Sequence, residues 1–353
     1  PIRLRLWNGK QIVSDLLMVQ QVTGVETMCG SVEYCLLCVA TRAGLKLKQF
    51  VAMPVELRFV TSTGKLRSVC GIVERVEEGE SDGGLATYQL ILRDALSTME
   101  KGCNTRIFRG MNEVDITQRI FEGWYRNNQV LAYAFNFDLR GARSDYPKRE
   151  FTMQYKESDA AFLRRLWKRR GLAWFFEPTP KASEMDALAH TLIVFDEASS
   201  LARSAAPSVR FHRDDGSEVD DSITAWHPAR RLVPGRVVRQ SWDYKRVRLS
   251  HQSAATNIDQ GYFGNQFGHG LQDRLIDVQH AGDSHDDYQA LSRRRAMHHE
   301  MNGKFYHGEG GGRAWAPGRW FELTGHREID RLPEGKRQFV FTELRGAAEN
   351  NLP

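Results

Sequence analysis

The sequence predicts a mixed α+β protein in which two small antiparallel β modules bracket an α/β middle region. Short strand-like segments fill residues 32–96, helical periodicity begins near residue 111, and β character returns near residue 222. A chain of 353 residues is long enough for two or three domains. The predicted domains are a first β module over 1–100, a middle region over 101–221, and a second β module with an inserted helix over 222–353.

The first module is predicted from strand-like segments that are separated by RAG, STGK and GESDGG. Glycine-containing breaks between β-branched and aromatic runs are hairpin signals. Strands at this spacing, without helices between them, indicate an antiparallel barrel or sandwich. The segments are VEYCLLCVAT, VELRFVT, LRSVCGIVERVEE and LATYQLILRDA.

The middle region begins with a predicted helix in MNEVDITQRIFEGWYRN, residues 111–127. Its apolar residues recur near helical spacing, and Asp115 is the expected cap. These apolar residues are Val114, Ile116, Ile120, Phe121 and Trp124.

A strand, a basic helix and a second strand are predicted over residues 151–177. FTMQY and LAWFFE are the strands, Ser158 or Asp159 caps the helix, and Gly171 stands where a helix C′ glycine is expected. The predicted buried stripe of the helix is Phe162, Leu163, Leu166 and Trp167. The basic residues lie outside this stripe or in the last turn, where cations complement the helix dipole. They are Arg164, Arg165, Lys168, Arg169 and Arg170.

Polar loops are predicted over 178–190 and 198–208, on either side of a short buried strand, TLIVFDE. The second module is predicted from DSITAWHP, RVVRQSWDYKRVRL, GRWFELTGH and RQFVFTELRG, with DDYQALSRRRAMHHEMN as its helix. Residues 53–79 and 316–349 share the order proline, strand, turn, strand. This shared plan suggests that the two β modules are related.

Composition and charge exclude several protein classes. The chain is 41% hydrophobic and 26% charged, which is typical of a core-forming protein, and a net charge of +5 predicts no broad polyanion-binding surface. No apolar run approaches the roughly 18–20 residues of a membrane helix. The first ten residues lack the apolar core of a signal peptide and an initiator Met, so we expect a processed or trimmed chain. Five cysteines predict reduced thiols and folding in the cytoplasm.

One motif has the form of a hydrolase nucleophile elbow. Gly79-Glu80-Ser81-Asp82-Gly83 matches G-x-S-x-G, which makes Ser81 the formal nucleophile candidate. That chemistry needs a strand before the serine and a helix after it. Here both flanks are strand-like, so we predict a hairpin turn and no catalytic residue.

The cysteines do not predict a metal site. Cys35 and Cys38 form a C-x-x-C with Cys29 nearby, but no second pair stands at zinc spacing, and the two would point to opposite faces of a strand. Cys70 and Cys103 are isolated. Buried free thiols are expected instead.

Histidine, glycine and paired acids complete the inventory, and none predicts a metal or cofactor. The densest histidine cluster lacks the H-E-x-x-H pattern of a zinc site; it consists of His298, His299 and Glu300, with His307 further on. The glycine-rich segment GEGGG, residues 308–312, lacks the Lys-Ser/Thr of a P-loop, and we expect it to be a flexible loop. The pairs Asp220–Asp221 and Asp286–Asp287 are typical of turns and helix caps.

The segment QYKESDAAFLRRLWKRRGLAWFFE resembles a signature of the VgrG family, the spike proteins of type VI secretion, which reads QY-x-E-S-D … F-x-x-R-L-x-E-x-x-G … Y-F-F-E. The chain is similar to the baseplate hub proteins of contractile-tailed phages too. Residues 53–79, RIFRGMNEVDITQRIFEGW and TELRGAAENNLP resemble further family segments in the same order, the last leading out of the hub. Arg169 and Arg170 stand where acids are common in the family.

The resemblance implies a trimeric, phage-tail-hub-like architecture. Two β-barrel modules per subunit would form a pseudo-sixfold ring on a hexameric tail-tube protein. The chain would then be the hub of a longer spike, ending before an OB-fold and a β-helix needle whose tip alone would contact the membrane.

The implied role is structural, not enzymatic: to couple the tube to a membrane-piercing tip and to help deliver effectors. Baseplate components and effector or adaptor proteins are the further expected partners, with assembly in the bacterial cytoplasm and then injection into a target cell. A tail hub of a contractile phage or phage-derived particle is the alternative. A nucleic-acid-binding module that uses the basic face of 164–170 is a further alternative.

Overall fold

Strands dominate the computed structural model, which describes residues 2–81, 84–143, 145–180, 188–212 and 221–351. The strands, in chain order, are β1 (Ile2–Trp7), β2 (Ile12–Val13), β3 (Met18–Thr27), β4 (Val32–Ala40), β5 (Pro54–Val60), β6 (Leu66–Ser81), β7 (Ala86–Arg93), β8 (Asn104–Phe108), β9 (Phe135–Gly141), β10 (Thr152–Glu157), β11 (Ala173–Pro178), β12 (His190–Phe195), β13 (Arg203–Phe211), β14 (Ser222–Arg230), β15 (Arg236–Asp243), β16 (Arg248–Ala255), β17 (Gln272–Ile276), β18 (Lys304–Gly310), β19 (Trp320–Thr324), β20 (Gln338–Val340) and β21 (Glu343–Glu349). The α-helices are α1 (Ala95–Met99), α2 (Glu113–Asn127), α3 (Gln129–Ala134), α4 (Asp159–Arg170), α5 (Gly261–Gly270) and α6 (His285–Gly303).

The first sheet has the strand order β2-β1-β5-β6-β7-β4-β3-β21 and is antiparallel throughout. The four predicted segments are β4 to β7, and STGK and GESDGG stand in the connections of the paired strands β5–β6 and β6–β7, as their hairpin signals predicted. The hairpin signal RAG was wrong, because β4 pairs with β7 and not with β5. β3 was not predicted because Gly24 interrupts its apolar pattern, yet the glycine is needed there. A Cβ at Gly24 would lie 2.2 Å from the ring of Tyr34 on the neighbouring strand.

The middle region contains the pair β8–β10 and the sheet β11-β12-β9, with α2 and α4 packed beside them. α4 begins after the N-cap Ser158 and ends at Gly171, whose φ is +81°, as predicted. α2 differs from expectation. Its N-cap is Asn112, and Asp115 is the third helical residue, whose side chain returns to the Asn112 backbone N–H and completes a capping box.

One hydrophobic core joins the first sheet to the middle region. It runs from Ile2 to Val194 and includes the whole predicted stripe of α4. Trp167 has no exposed surface, and its indole N–H donates to Thr117 Oγ1 at 2.9 Å. α4 is therefore a scaffold element that holds the first sheet and the middle region together.

A five-stranded sheet, β18-β14-β13-β19-β20, combines β13 of the predicted middle region with strands of the predicted second module, and a three-stranded sheet, β16-β15-β17, packs on α6. The expectation of a wholly antiparallel module was wrong, because β13 lies parallel to β14 and β19, and β15 lies parallel to β17. No sheet in the described ranges closes on itself by backbone pairing, so the fold is strand-rich and mixed but its sheets are open.

Three local predictions in the second half need correction. The expected loop over 198–208 contains the start of β13, and RQFVFTELRG divides into β20 and β21, which join different sheets. GEGGG begins inside β18 instead of forming a free loop. Gly310 is needed there because a Cβ would lie 2.1 Å from the Ser222 carbonyl oxygen. The expected loop over 178–190 includes residues 181–187, which lie outside the described residues.

Candidate interaction site

The segment that carries the sequence resemblance forms a buried hydrogen-bond network around Asp159. Its carboxylate accepts from Gln154 Nε2 at 2.8 Å, Trp124 Nε1 at 2.9 Å and Asn104 Nδ2 at 3.1 Å, and it pairs with Arg106. Burial opposes its ionisation, but these donors outweigh the burial and lower the pKa of Asp159. The network joins β8, β10, α2 and α4, so Gln154 and Asp159 serve the framework.

The strand before α4 carries a bulge within this segment. The pairing of β10 with β8 shifts between Gln154 and Glu157, and Lys156 adopts a φ of +48°. A side chain in this left-handed conformation is uncommon outside Gly, Asn and Asp. The bulge turns Gln154 inward to Asp159 while Tyr155 remains exposed.

Arg170 is the centre of a buried ion cluster at the end of α4. Its guanidinium donates to both carboxylate oxygens of Glu113 at 2.9 Å and to Asp287 Oδ1 at 2.7 Å, and all three side chains are at most 3% exposed. The cluster therefore fixes α4 to α2 and to α6 of the second module.

The other basic residues of α4 mostly bind groups within the chain. Arg164 pairs with Glu100, Arg165 pairs with Glu157 at 2.5 Å, and Arg169 donates to the Ala281 carbonyl. Among the residues that the structure describes, Lys168 is the one of the five without a salt bridge. A face whose charges are largely matched internally offers little to a phosphate backbone, so the structure does not favour the nucleic-acid hypothesis.

The end of the described chain is fastened to its beginning. β21 lies along β3, and Asn350 N donates to Gln20 O at 2.9 Å. The Asn350 carboxamide accepts from Ile2 N at 2.7 Å and donates to the Ile2 and Val19 carbonyls, both at 2.8 Å. A side chain thus bridges β1 and β3. Sequence analysis missed this clamp because no local pattern marks a contact between residues 348 positions apart.

A polar cleft of about 510 Å³ lies between the β15–β16 turn and the segment before α6. His280 Nδ1 is 3.3 Å from Asp243 Oδ1, an arrangement that could orient a base. However, Ser241 Oγ donates to the Val278 carbonyl and accepts from Ala281 N, and Ser284 caps α6. The hydroxyls of Ser241 and Ser284 are therefore committed to the framework.

The remaining sequence candidates lie apart from each other. Ser81 is the last residue of β6 and pairs with Ala86 of β7, so a strand and not a helix follows it; Asp82 and Gly83 lie outside the described residues. Asp287 belongs to the Arg170 cluster and Asp286 to the first turn of α6. Asp221 accepts from the Arg313 backbone N–H, and Asp220 lies outside the described residues.

The cysteines and histidines do not converge. Cys38 and Cys70 are buried as expected, whereas Cys29 and Cys103 are exposed, because both lie outside the sheet interior. His299 Nε2 contacts Asp273 at 2.7 Å and His298 contacts Asn302, so the adjacent histidines diverge, while His307 lies in β18. Within the described ranges, no three His, Cys, Asp or Glu side chains are grouped to hold a metal. No helix in those ranges is long and apolar enough to cross a membrane.

Comparison with known proteins gives a consistent result. A family model described as "Phage tail baseplate hub (GPD)" matches residues 25–352. The type VI secretion system spike protein VgrG4b of Pseudomonas aeruginosa is 30% identical over 234 residues, which cover 66% of this chain and 27% of that protein. The spike protein VgrG1c of the same organism is 26% identical over 66% of this chain and 30% of its own length. The chain therefore spans about a third or less of these relatives.

Solved structures agree on the fold. The E. coli c3393 protein, a type VI secretion component with structural similarity to the T4 tail proteins gp27 and gp5, superposes with a TM-score of 0.65 at 14% identity, over 99% of this chain and 73% of that chain. A tail protein from Neisseria meningitidis MC58 gives a TM-score of 0.64 at 11% identity, over 99% and 92%. Both share the tail-hub fold with this chain.

Proposed function

We propose that this chain forms the hub of a cell-puncturing spike in a contractile injection machine of the type VI secretion kind. The chain belongs to the phage tail baseplate hub family, because the model of that family matches residues 25–352. In this role it adapts a hexameric tail tube to a threefold tip. The proposed role is mechanical and needs no catalytic residue, cofactor or metal.

The observation that carries the proposal is the fastening of the chain's last strand into its first sheet. β21 pairs with β3 over seven residues, from Glu343↔Thr27 to Glu349↔Gln21, and the Asn350 clamp follows at once. A force on the chain after residue 350, along the strand axis, would load the ladder in shear, so that many hydrogen bonds resist together. This is the attachment that a spike driven by a contracting sheath would need.

Three copies are proposed to assemble so that the modules 1–100 and 222–353 alternate around a ring, with 101–221 between them. Two modules in each of three copies give six similar positions, which would match a hexameric tube. The Arg170 cluster supports this arrangement, because it links α4 to α6 and would keep the two modules of one copy in fixed relation.

Baseplate components and an effector or adaptor protein are the further proposed partners, with assembly in the cytoplasm before injection. A hub of a contractile phage or phage-derived particle would use the same geometry. The comparisons favour the secretion machine, since VgrG proteins of P. aeruginosa and of Vibrio cholerae are among the similar proteins.

The test is electron microscopy of the purified chain mixed with the hexameric tube protein of the same cell. We expect complexes in which hub density caps the tube end with threefold symmetry. A chain that never caps the tube, while it remains folded by circular dichroism, would overturn the proposal. Deletion of 343–353 provides the companion variant, which should cap the tube but lose stability.

A further inference from the structure

Residues 231–303 are inserted between two neighbouring strands of the five-stranded sheet. β14 ends at Arg230 and β18 begins at Lys304, and these two residues are paired in the antiparallel ladder. The chain therefore leaves the sheet and returns to it at adjacent points. The backbone N–H of Arg231 also donates to the Gly303 carbonyl at 3.1 Å, so the two ends of the insertion are joined. We name residues 231–303 the inserted unit; it contains β15, β16, β17, α5 and α6.

The inserted unit has a hydrophobic interior of its own. Ala281, Tyr288 and Leu291 form a separate buried cluster, and the guanidinium of Arg239 on β15 lies over the Tyr288 ring at 5.6 Å. No described residue of the unit belongs to the core that joins the first sheet to the middle region, or to the core of the five-stranded sheet. The unit is therefore a small body whose apolar packing is largely internal.

Guanidinium groups hold the inserted unit against the middle region. Arg149 donates to the carbonyl oxygens of His280 and Ala281 at 3.0 and 2.8 Å, and its guanidinium lies 3.6 Å from the Asp283 carboxylate. Arg169 at the end of α4 donates to the Ala281 carbonyl as well. Two arginines of the middle region thus bind the short segment that precedes α6.

A buried ion pair and an exposed one complete the attachment. Arg170 donates to Asp287 Oδ1 at 2.7 Å, with both side chains buried, and Lys245 pairs with Glu150 at 2.6 Å in more open surroundings. Ionic and hydrogen-bonded contacts of this kind can separate without exposing a large apolar surface, since water replaces the lost partners. We name this attachment the latch; it consists of Arg149, Arg169, Arg170 and residues 280–287.

Other groups at the same seam oppose closure. Arg294 of α6 packs against Gly171, where a Cβ would lie 2.6 Å from Arg294 Cδ, and its Nη1 is buried without a hydrogen-bond partner among the described residues. Burial and the nearby charge of Arg170 lower the pKa of Arg294. Asp283 Oδ2 is likewise buried without a hydrogen bond in the described part of the chain. Water would satisfy both groups if the unit moved away, so attraction and repulsion are opposed across the seam.

We propose that the inserted unit swings as a folded body about its connections to β14 and β18, and that the latch holds it closed on the middle region. Domain movements of this kind use a few residues at the ends of elements as the hinge, and here both connections lie side by side. The polar cleft of about 510 Å³ runs along the seam, with Lys148 and Glu150 on one side and Ser241 and Asp243 on the other. A swing would therefore change the width of this cleft.

Contacts within the inserted unit favour movement as one body over local unfolding. β15 and β16 pair over eight residues, from Arg236↔Ala255 to Asp243↔Arg248. Ser241 on β15 accepts from the Ala281 N–H at 3.0 Å, which ties the segment before α6 to the sheet of the unit. None of these bonds needs to break when the latch opens. Every contact that supports the swing lies within one copy, so the proposal is independent of the hub function.

The test measures a distance across the seam by pulsed electron paramagnetic resonance between two nitroxide labels. One label is placed on the exposed Cys103 of the middle region, and the other on Val247→Cys at the exposed β15–β16 turn. Cys29 and Cys35 become serine, because they are not fully buried. The labelled chain is diluted into excess unlabelled chain, so that the distances recorded lie within one copy.

A second label pair reports whether the inserted unit stays folded. It combines Val247→Cys with Ile276→Cys, both on the unit at exposed positions, in a chain that carries Cys103→Ser. Its distance should remain narrow and unchanged if the unit moves as a body. Circular dichroism establishes that each variant retains its secondary structure.

The latch variant removes charge from both sides of the seam but leaves Arg170 with its partner Glu113. Its substitutions are Arg149→Met, Arg169→Met and Asp287→Asn. The control variant makes the same three changes at ion-paired residues of the middle region that are not in the latch. Its substitutions are Arg140→Met, Arg165→Met and Asp138→Asn.

We expect one narrow distance across the seam in the unaltered chain and in the control variant. In the latch variant a longer distance should appear, and the ratio of open to closed molecules should rise at least about tenfold, because buried polar groups lose their partners in the closed state. The distance within the unit should stay the same in all three chains.

An unchanged distance across the seam in the latch variant would overturn the proposal. A broadened distance within the unit would overturn it as well, since the unit would then unfold instead of swinging. An equal shift in the control variant would assign the movement to a general loss of charge. These measurements are made without the tube protein, so their outcome is separate from failure of the hub proposal.

Discussion

α4 and α5 are helices of similar length with opposite relations to the rest of the molecule. α4 buries Phe162, Leu163, Leu166 and Trp167, and most of its basic residues bind acids or carbonyls within the chain. α5 buries only Gly268 and turns its aromatic rings to solvent. The difference indicates that basic residues on a helix are a weak sign of a binding partner when their ion-pair and hydrogen-bond acceptors lie within the same chain. Exposed aromatic residues that no other part of the chain covers are a stronger sign.

The largest expected contrast is between large-to-small substitutions in the two helices. Trp167→Ala should lower the free energy of unfolding by about 3–5 kcal/mol, because the indole is fully buried and its N–H bonds Thr117. Chemical denaturation measures the change, with Phe162→Leu as a milder companion. A loss below about 1 kcal/mol would contradict the placement of α4 in the core.

Removing the buried charge of α4 should have a comparable effect. Arg170→Met leaves Glu113 and Asp287 buried without their partner, which we expect to cost about 3–5 kcal/mol. The exposed pair of the same helix is the control, because Arg165→Met should cost at most about 1 kcal/mol. Equal losses in the two variants would show that the cluster is not buried as described.

Acid should weaken the core that contains α4. Burial lowers the pKa of His190 from 6.5 to about 4, and its Nε2 accepts from Ala95 N. The unfolded chain then binds a proton near pH 6.5 that the folded chain binds only near pH 4, so stability falls as the pH drops through this window. The loss should reach about 3 kcal/mol, since one pKa unit corresponds to about 1.36 kcal/mol.

Urea unfolding at a series of pH values measures this loss. His190→Gln should flatten the profile between pH 6.5 and 4. A profile that is equally steep in the His190 variant would assign the effect to other groups.

The Asn350 clamp should contribute less than the core. Asn350→Ala removes three hydrogen bonds to Ile2 and Val19, and we expect a loss of about 1–3 kcal/mol. Hydrogen exchange should accelerate in β21 and at Ile2. Asn351→Ala, at the exposed neighbouring residue, is the matched control. Equal losses of stability in the two variants would show that the Asn350 hydrogen bonds do not stabilise the fold.

The smallest effect is expected on α5 itself. Phe263→Ala should change the unfolding free energy of the dissociated chain by no more than about 0.5 kcal/mol, because the ring is largely exposed. The measurement is made at a dilution where copies do not associate, since association stabilises the folded state by mass action. A loss similar to that of Trp167→Ala would show that the ring packs within its own chain.

The sequence predicted the elements whose side chains follow a regular period. The stripe and both ends of α4, the hairpins β5–β6 and β6–β7 and the helix α6 are all present, and the resemblance to the hub family is confirmed. These features depend on neighbours in sequence. The division into three domains stays a prediction.

Features that depend on distant residues could not be predicted in this way. Gly24 interrupts β3 in the sequence because it accommodates a ring from β4, and β21 joins a sheet more than 240 residues before it. α5 has neither a charged face nor a buried stripe, so its glycine-rich sequence reads as a loop. Three aromatic residues within these ten positions were the available signal in the sequence.

The most direct test of the hub account is the solution mass of the unaltered chain, measured by light scattering over a concentration series. The account predicts a limiting mass of about three times 40.3 kDa, which falls toward 40.3 kDa on dilution. A mass of 40.3 kDa at every concentration, or a limiting mass of two copies, would contradict the threefold assembly.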